Sequence, residues 1–130
     1  RESQALGLKR LHTVCHPAAS VSPFAQLGGG SFVAAQAVVA PDARLGLGVI
    51  VNHGAVVDHD CCIGDFAHIA PGAVLGGEVR IGPGVLVGAG AVVLPGRSIA
   101  AGAIVGAGAV VRDNIDSPGT WVGVPARRIA

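Results

Sequence analysis

Counted in sixes from Val21, the chain keeps one frame through to Asp116. The first residue of every six is aliphatic: Val21, Leu27, Val33, Val39, Leu45, Val51, Val57, Ile63, Ile69, Leu75, Ile81, Val87, Val93, Ile99, Val105 and Val111. Hydrophobic residues make up 51% of the sequence, too few for sixteen hits in one register to arise by chance. The fifth residue is mostly small, as in Ala25, Ser31, Ala37, Ala43, Ala55, Cys61, Ala67, Ala73, Ala91, Ala103 and Ala109. Second and fourth residues are often Gly, Asn or Asp. A hexapeptide period reads as a parallel β-helix. Residues two apart share a face of a strand, so each first residue and the small residue two places ahead of it point inward. The third and fourth residues make a corner, where Gly, Pro, Asn and Asp are at home. Three flats close a triangle, one coil takes eighteen residues, and residue n lies under residue n+18 at about 4.8 Å. The expected fold is all-β, a parallel β-helix of about five coils and roughly 25 Å in length.

The frame also divides the chain. Residues 15–116 are read as the β-helix, with a partial turn from Cys15 before the regular frame. Residues 1–14 lack the repeat and are read as a linker or the stub of a missing N-terminal domain. Ser117-Pro118-Gly119 breaks the pattern, and 117–130 is read as a C-terminal cap or tail. A solenoid must cover its open end, and Trp121, the single Trp, is the expected lid. Arg127 and Arg128 are a solvated tail or a phosphate contact. The sequence starts at Arg1 and has no Met, so a fragment or a processed chain is expected.

Composition narrows the function. A chain of 130 residues with net charge +1 is one domain without the basic footprint of a nucleic-acid binder. Aromatics at 3% argue against base stacking. Every apolar run is interrupted well short of the ~20 residues of a membrane helix. Cys15, Cys61 and Cys62 are odd in number and two are adjacent, which is no disulfide framework and fits a reduced, cytoplasmic setting. Gly28-Gly29-Gly30 falls at a corner and lacks the strand-then-helix context of a phosphate loop.

Polar groups gather in one coil: Asn52-His53-Gly54, Asp58-His59-Asp60 and Asp65-Phe66-Ala67-His68. His53 and His59 are third residues, on corners; His68 is a sixth residue, facing outward from a flat. An imidazole beside a carboxylate is a candidate general base near neutral pH, and Asp58 and Asp60 flank His59. One coil above His59 stands Gly77, whose uncovered N–H is a donor for a developing oxyanion, as acyl transfer needs. His68 lies across the prism from the His59 corner, so a site using both is expected between chains, in a closed cyclic homotrimer.

Three segments carry a resemblance: Val57-Asp58-His59-Asp60-Cys61-Cys62-Ile63-Gly64-Asp65, His68-Ile69-Ala70-Pro71-Gly72-Ala73 and Gly123-Val124-Pro125-Ala126-Arg127-Arg128-Ile129. With them the chain resembles the hexapeptide-repeat acetyltransferases, in particular the sialic-acid O-acetyltransferases and the N-acetyltransferases of nucleotide-linked 4-amino-sugars. The resemblance covers about residues 11 to 130. It implies a left-handed, trimeric helix and an acetyl-CoA-dependent acyltransferase of polysaccharide biosynthesis. Within it His59 matches the catalytic base and Asp60 its acidic partner. His68 matches an acetyl-CoA contact, Gly77 the backbone donor near the thioester carbonyl, and Ala89 and Ala107 backbone contacts to the pantetheine arm. No metal is implied, and His53 and Cys62 receive no role. Family members usually carry an N-terminal βαβ domain that holds the nucleotide sugar, which this sequence lacks. The favoured reading is N-acetylation of a UDP- or GDP-linked 4-amino-sugar. The alternatives are O-acetylation of sialic acid or a related sugar, a zinc enzyme of the γ-carbonic-anhydrase kind using His16, His53 and His59, and a trimerising scaffold without catalysis.

Overall fold

The computed structural model describes residues 12–130; most of the stretch read as a linker or stub therefore lies outside the described residues. Two-residue strands recur every six residues from β1 (Val14–Cys15) to β17 (Val110–Val111). Each strand up to β14 (Val92–Val93) pairs in parallel with the strand three ahead, as Phe32 with Ile50 and Val38 with Val56, which is the predicted eighteen-residue register. The result is a three-faced parallel solenoid. Face 1 holds six of these rungs, face 2 six and face 3 five, which makes about six turns. The frame counted from Val21 gives a little over five because it leaves out the opening rung, where Val14 and Cys15 pair with Phe32 and Val33.

Packing follows the frame. First-of-six residues such as Val51, Val57, Ile69, Leu75 and Val87 are fully buried, and so are the fifth residues Ala55, Cys61, Ala67 and Ala73. Aliphatics fill the middle of the prism while Ala and Cys fit beside the corners, so successive coils share one buried core. The fourth residue of most corners takes a positive φ, as Asp60 does at 58° and Gly72 at 70°. Gly and Asp tolerate that left-handed conformation, which is why they recur there.

After Ser117-Pro118-Gly119 the chain returns to face 1 as β18 (Thr120–Val122), parallel to Ile104–Val105, and turns back antiparallel as β19 (Arg127–Arg128). Trp121 continues the inward column above Val105 and packs on the core. The Arg128 guanidinium lies 5.7 Å above its ring, a cation–π contact that covers the indole.

The outward columns differ by face. Face 2 presents Val38, Val56, Val74, Val92 and Val110. Face 1 presents Phe32, Ile50, Leu86 and Ile104 around His68. Face 3 presents Gln26, Arg44, Cys62, Arg80 and Ser98. Two faces are thus apolar and one polar. Among the described residues no helix is long and apolar enough to cross a membrane.

Candidate functional site

His59 stands on the edge between faces 2 and 3, in the turn joining Val56–Val57 to Cys62–Ile63. Its backbone is pinned from both sides. The His59 N–H donates to Asp58 Oδ1 at 2.8 Å, and its carbonyl accepts from Glu78 N at 2.9 Å in the coil above. The ring is fixed by Asp60, whose Oδ2 accepts from Nδ1 at 3.0 Å. With the proton held on Nδ1, Nε2 carries the free lone pair.

That nitrogen points under Gly77. A Cβ built on Gly77 would lie 2.3 Å from Nε2 and 2.5 Å from Cε1 of His59. Only glycine leaves room for the imidazole in this place. The Gly77 carbonyl accepts from Gly96 N at 2.9 Å, whereas its N–H has no protein partner among the described residues. A depression of about 450 Å³ opens here, lined by Asp58, His59, Gly76, Gly77, Glu78, Pro95 and Gly96. A lone-pair acceptor and a bare N–H donor therefore share one small cavity.

The electrostatics favour the protonated ring. The bond to Asp60 raises the His59 pKa above the usual histidine value; desolvation opposes it, and the charges of Asp58, Asp60 and Glu78 add to the rise. Cys61, by contrast, is a core group: burial pushes its thiol up to about 11, so it stays neutral and unreactive. Cys62 sits on face 3 between Arg44 and Arg80.

A larger concavity, about 720 Å³, runs along face 3 past Arg44, Cys62, Arg80 and Ser98. Size does not decide between the two. Among the described residues the face 3 groove has no histidine in its lining, whereas the smaller depression contains both His59 and Gly77.

The remaining candidates lie elsewhere on the prism. His68 is on face 1, between Ile50 and Leu86. Asn52 Nδ2 donates to its Nε2 at 3.2 Å, which leaves Nδ1–H as the donor of the neutral ring. Ala89 and Ala107 stack on the edge between faces 1 and 2, where Gly108 N bonds Ala89 O at 2.8 Å. His53 is on that same edge, one coil below Pro71. One chain thus unites His59, Asp60 and Gly77 and holds His68, Ala89 and Ala107 apart from them. His16, His53 and His59 do not meet within the chain either, and among the described residues no three His, Cys, Asp or Glu side chains group as a metal site. Sequence reasoning gave no role to Asn52, although the pairing of His68 with Ile50 places it beside the ring.

Comparison with known proteins agrees with this architecture. Residues 78–113 match the family model of the bacterial transferase hexapeptide (six repeats). No curated protein matches the sequence. Among solved structures, the acetyltransferase domain of PglB from Neisseria gonorrhoeae FA1090 is 44% identical with a TM-score of 0.94, over 98% of this chain and 62% of that one. That domain is also known in complex with acetyl coenzyme A. PerB from Caulobacter crescentus, in complex with CoA and GDP-perosamine, is 40% identical with a TM-score of 0.92, over 100% of this chain and 66% of that one. WeeI from Acinetobacter baumannii AYE is 30% identical with a TM-score of 0.83, over 99% of this chain and 65% of that one. The chain spans about two thirds of the length of each. It is a hexapeptide-repeat solenoid, similar along nearly its whole length to an acetyltransferase domain and to a GDP-perosamine N-acetyl transferase.

Proposed function

We propose that the chain is the acyl-transfer module of an acetyl-CoA-dependent acetyltransferase acting on the amine of a nucleotide-linked 4-amino-sugar. One observation carries the reading: His59 Nε2, oriented by Asp60 on the opposite nitrogen, lies directly beneath a glycine whose N–H has no protein partner among the described residues. His59 takes the proton of the attacking amine as its nitrogen bonds to the acetyl carbon. The Gly77 N–H donates to the acyl oxygen as negative charge grows there, a contribution of about 10²–10³ in rate for such donors. The carbon–sulfur bond then breaks and CoA leaves as thiolate. Asp60 holds the ring in the productive tautomer and stabilises the imidazolium, as a carboxylate does in hydrolytic triads.

The site is proposed to lie between copies of the chain, in a left-handed, threefold assembly. Two apolar faces and the separation of His59 from His68, Ala89 and Ala107 support that arrangement. His68 and the backbone at Ala89 and Ala107 then line the acetyl-CoA cleft opposite a neighbour's His59 edge. A reduced, cytoplasmic setting with its acetyl-CoA supply suits three free thiols, and polysaccharide biosynthesis is the proposed context. The test is isothermal titration with acetyl-CoA followed by turnover of wild type and His59→Ala. Binding with loss of turnover in the variant is expected. Absence of binding would instead favour a scaffold, and full activity in the variant would remove His59 from the reaction.

A further inference from the structure

The peptide joining Gly76 to Gly77 points its carbonyl and its N–H in opposite directions, as a planar trans peptide must. The Gly76 carbonyl accepts a hydrogen bond from Cys61 Sγ at 3.2 Å. Cys61 is fully buried in the coil below, so the carbonyl is turned toward the core and the Gly77 N–H away from it. Most corners join the equivalent two groups directly, as Ala73 N to Ala70 O and Ala91 N to Gly88 O, both at 3.1 Å. The corners at Asp58–Cys61, Gly76–Val79, Gly82–Val85 and Leu94–Arg97 are left open, and at Gly76 the thiol supplies the carbonyl with a donor instead.

The chain uses the same device thirty residues earlier. Ser31, also a fifth residue, donates to Gly46 O at 3.0 Å and accepts from Val49 N at 3.2 Å. There the next N–H, that of Leu47, meets an anionic oxygen: Asp65 Oδ1, from the coil above, lies 2.9 Å away. The residue standing above Gly77 is Pro95, whose ring offers no acceptor. The Leu47 corner is therefore a filled version of the Gly77 corner. In both, a polar fifth residue bonds the carbonyl of the peptide whose N–H faces away from it, at Leu47 toward a negative oxygen and at Gly77 beside the cavity.

We infer that Cys61 is a positioning residue: its S–H bond to the Gly76 carbonyl aims the Gly77 N–H at the acyl oxygen of the substrate. The inference rests on the acyl-transfer reading of the site. Burial keeps the thiol protonated across the working pH range, so the donor is always present. Replacing it by Ala removes the bond without removing the Gly77 N–H. The Gly76 carbonyl then loses its side-chain donor, and the peptide is free to turn.

Cys61→Ala and Cys61→Ser test this. Both should fold, since Ala fills the same place at Ala43, Ala55, Ala67 and Ala73 and Ser fills it at Ser31. The expected result is a fall in kcat of about tenfold or more for Cys61→Ala, below the full loss of an oxyanion donor, with KM for acetyl-CoA nearly unchanged. Cys61→Ser, which keeps a donor, should recover most of that loss. In 15N-glycine-labelled protein the Gly77 amide signal should shift or double in Cys61→Ala and return to its wild-type position in Cys61→Ser. Equal slowing in both variants, or wild-type kcat in Cys61→Ala while His59→Ala is inactive, would overturn the inference and leave the site reading standing. Full activity in His59→Ala would overturn the site reading itself. The amide signal then still decides whether Cys61 turns the peptide, and an unmoved signal in Cys61→Ala counts against it.

Discussion

Replacing Gly77 by Ala adds one methyl group and should disable the site while sparing the fold. The φ of Gly77 is not positive, so the backbone accepts an L residue there. The new Cβ would lie 2.3 Å from His59 Nε2, 2.5 Å from Cε1 and 3.0 Å from Cδ2. All three atoms belong to one rotatable ring, so the imidazole moves and the coil does not. To reach ordinary contact at 3.4 Å, Nε2 must retreat by about 1.1 Å. A misplacement of about 1 Å costs roughly 10²-fold in rate, or about 2.7 kcal/mol of barrier. The retreat also strains the 3.0 Å bond to Asp60. Steady-state kinetics should show kcat down about a hundredfold, with the melting temperature and acetyl-CoA affinity close to wild type. Gly76→Ala is the contrast. Its Cβ would meet the Pro95 ring and its backbone nitrogen at 2.8 Å, which cannot swing away, so stability should fall as well. Wild-type turnover in a folded Gly77→Ala would refute the placement of the imidazole as a cause of catalysis.

Four further outcomes follow from the same geometry. His59→Ala should lower turnover by orders of magnitude with little change in melting temperature, because the side chain is 54% exposed; calorimetry and kinetics on one sample check both. The base works as the neutral ring, and Asp60, Asp58 and Glu78 raise its pKa. Activity should therefore be weak in acid and rise with pH through a midpoint above the ordinary histidine value, and Asp60→Asn should move that limb downward in the pH–rate profile. Leu75→Ala, in the fully buried column, should cost about 2–5 kcal/mol in chemical denaturation, as large-to-small core changes do. Val74→Asp places a charge in the valine column of face 2, and sedimentation should show the assembly falling toward monomer.

The rhythm was legible because a solenoid repeats its environment. Val57, Ile63 and Ile69 each meet the same interior, so each is aliphatic, and the places of His59 and Gly77 on one edge followed from counting eighteen. The opening rung was harder to count, since Val14 and Cys15 lie at the open end of the prism, where nothing requires a buried residue. The return of Thr120–Val122 to face 1 could not be read either, because Ser117-Pro118-Gly119 breaks the frame before it. Cys61 looked like one more small core residue. Its bond to Gly76 depends on a side-chain direction that no six-residue pattern encodes. The same holds for Asn52, whose amide reaches His68 across neighbouring rungs.

The claim beneath the whole account is that the His59 edge of one chain works against the His68 face of another. Coexpression of His59→Ala and His68→Ala chains, each inactive alone, measures it directly. In a threefold assembly with sites between chains, random mixing regenerates about one quarter of the sites with both imidazoles intact. Recovery of activity toward that fraction is the expected result in the purified mixed oligomer. Mixed oligomers no more active than their parents would contradict it.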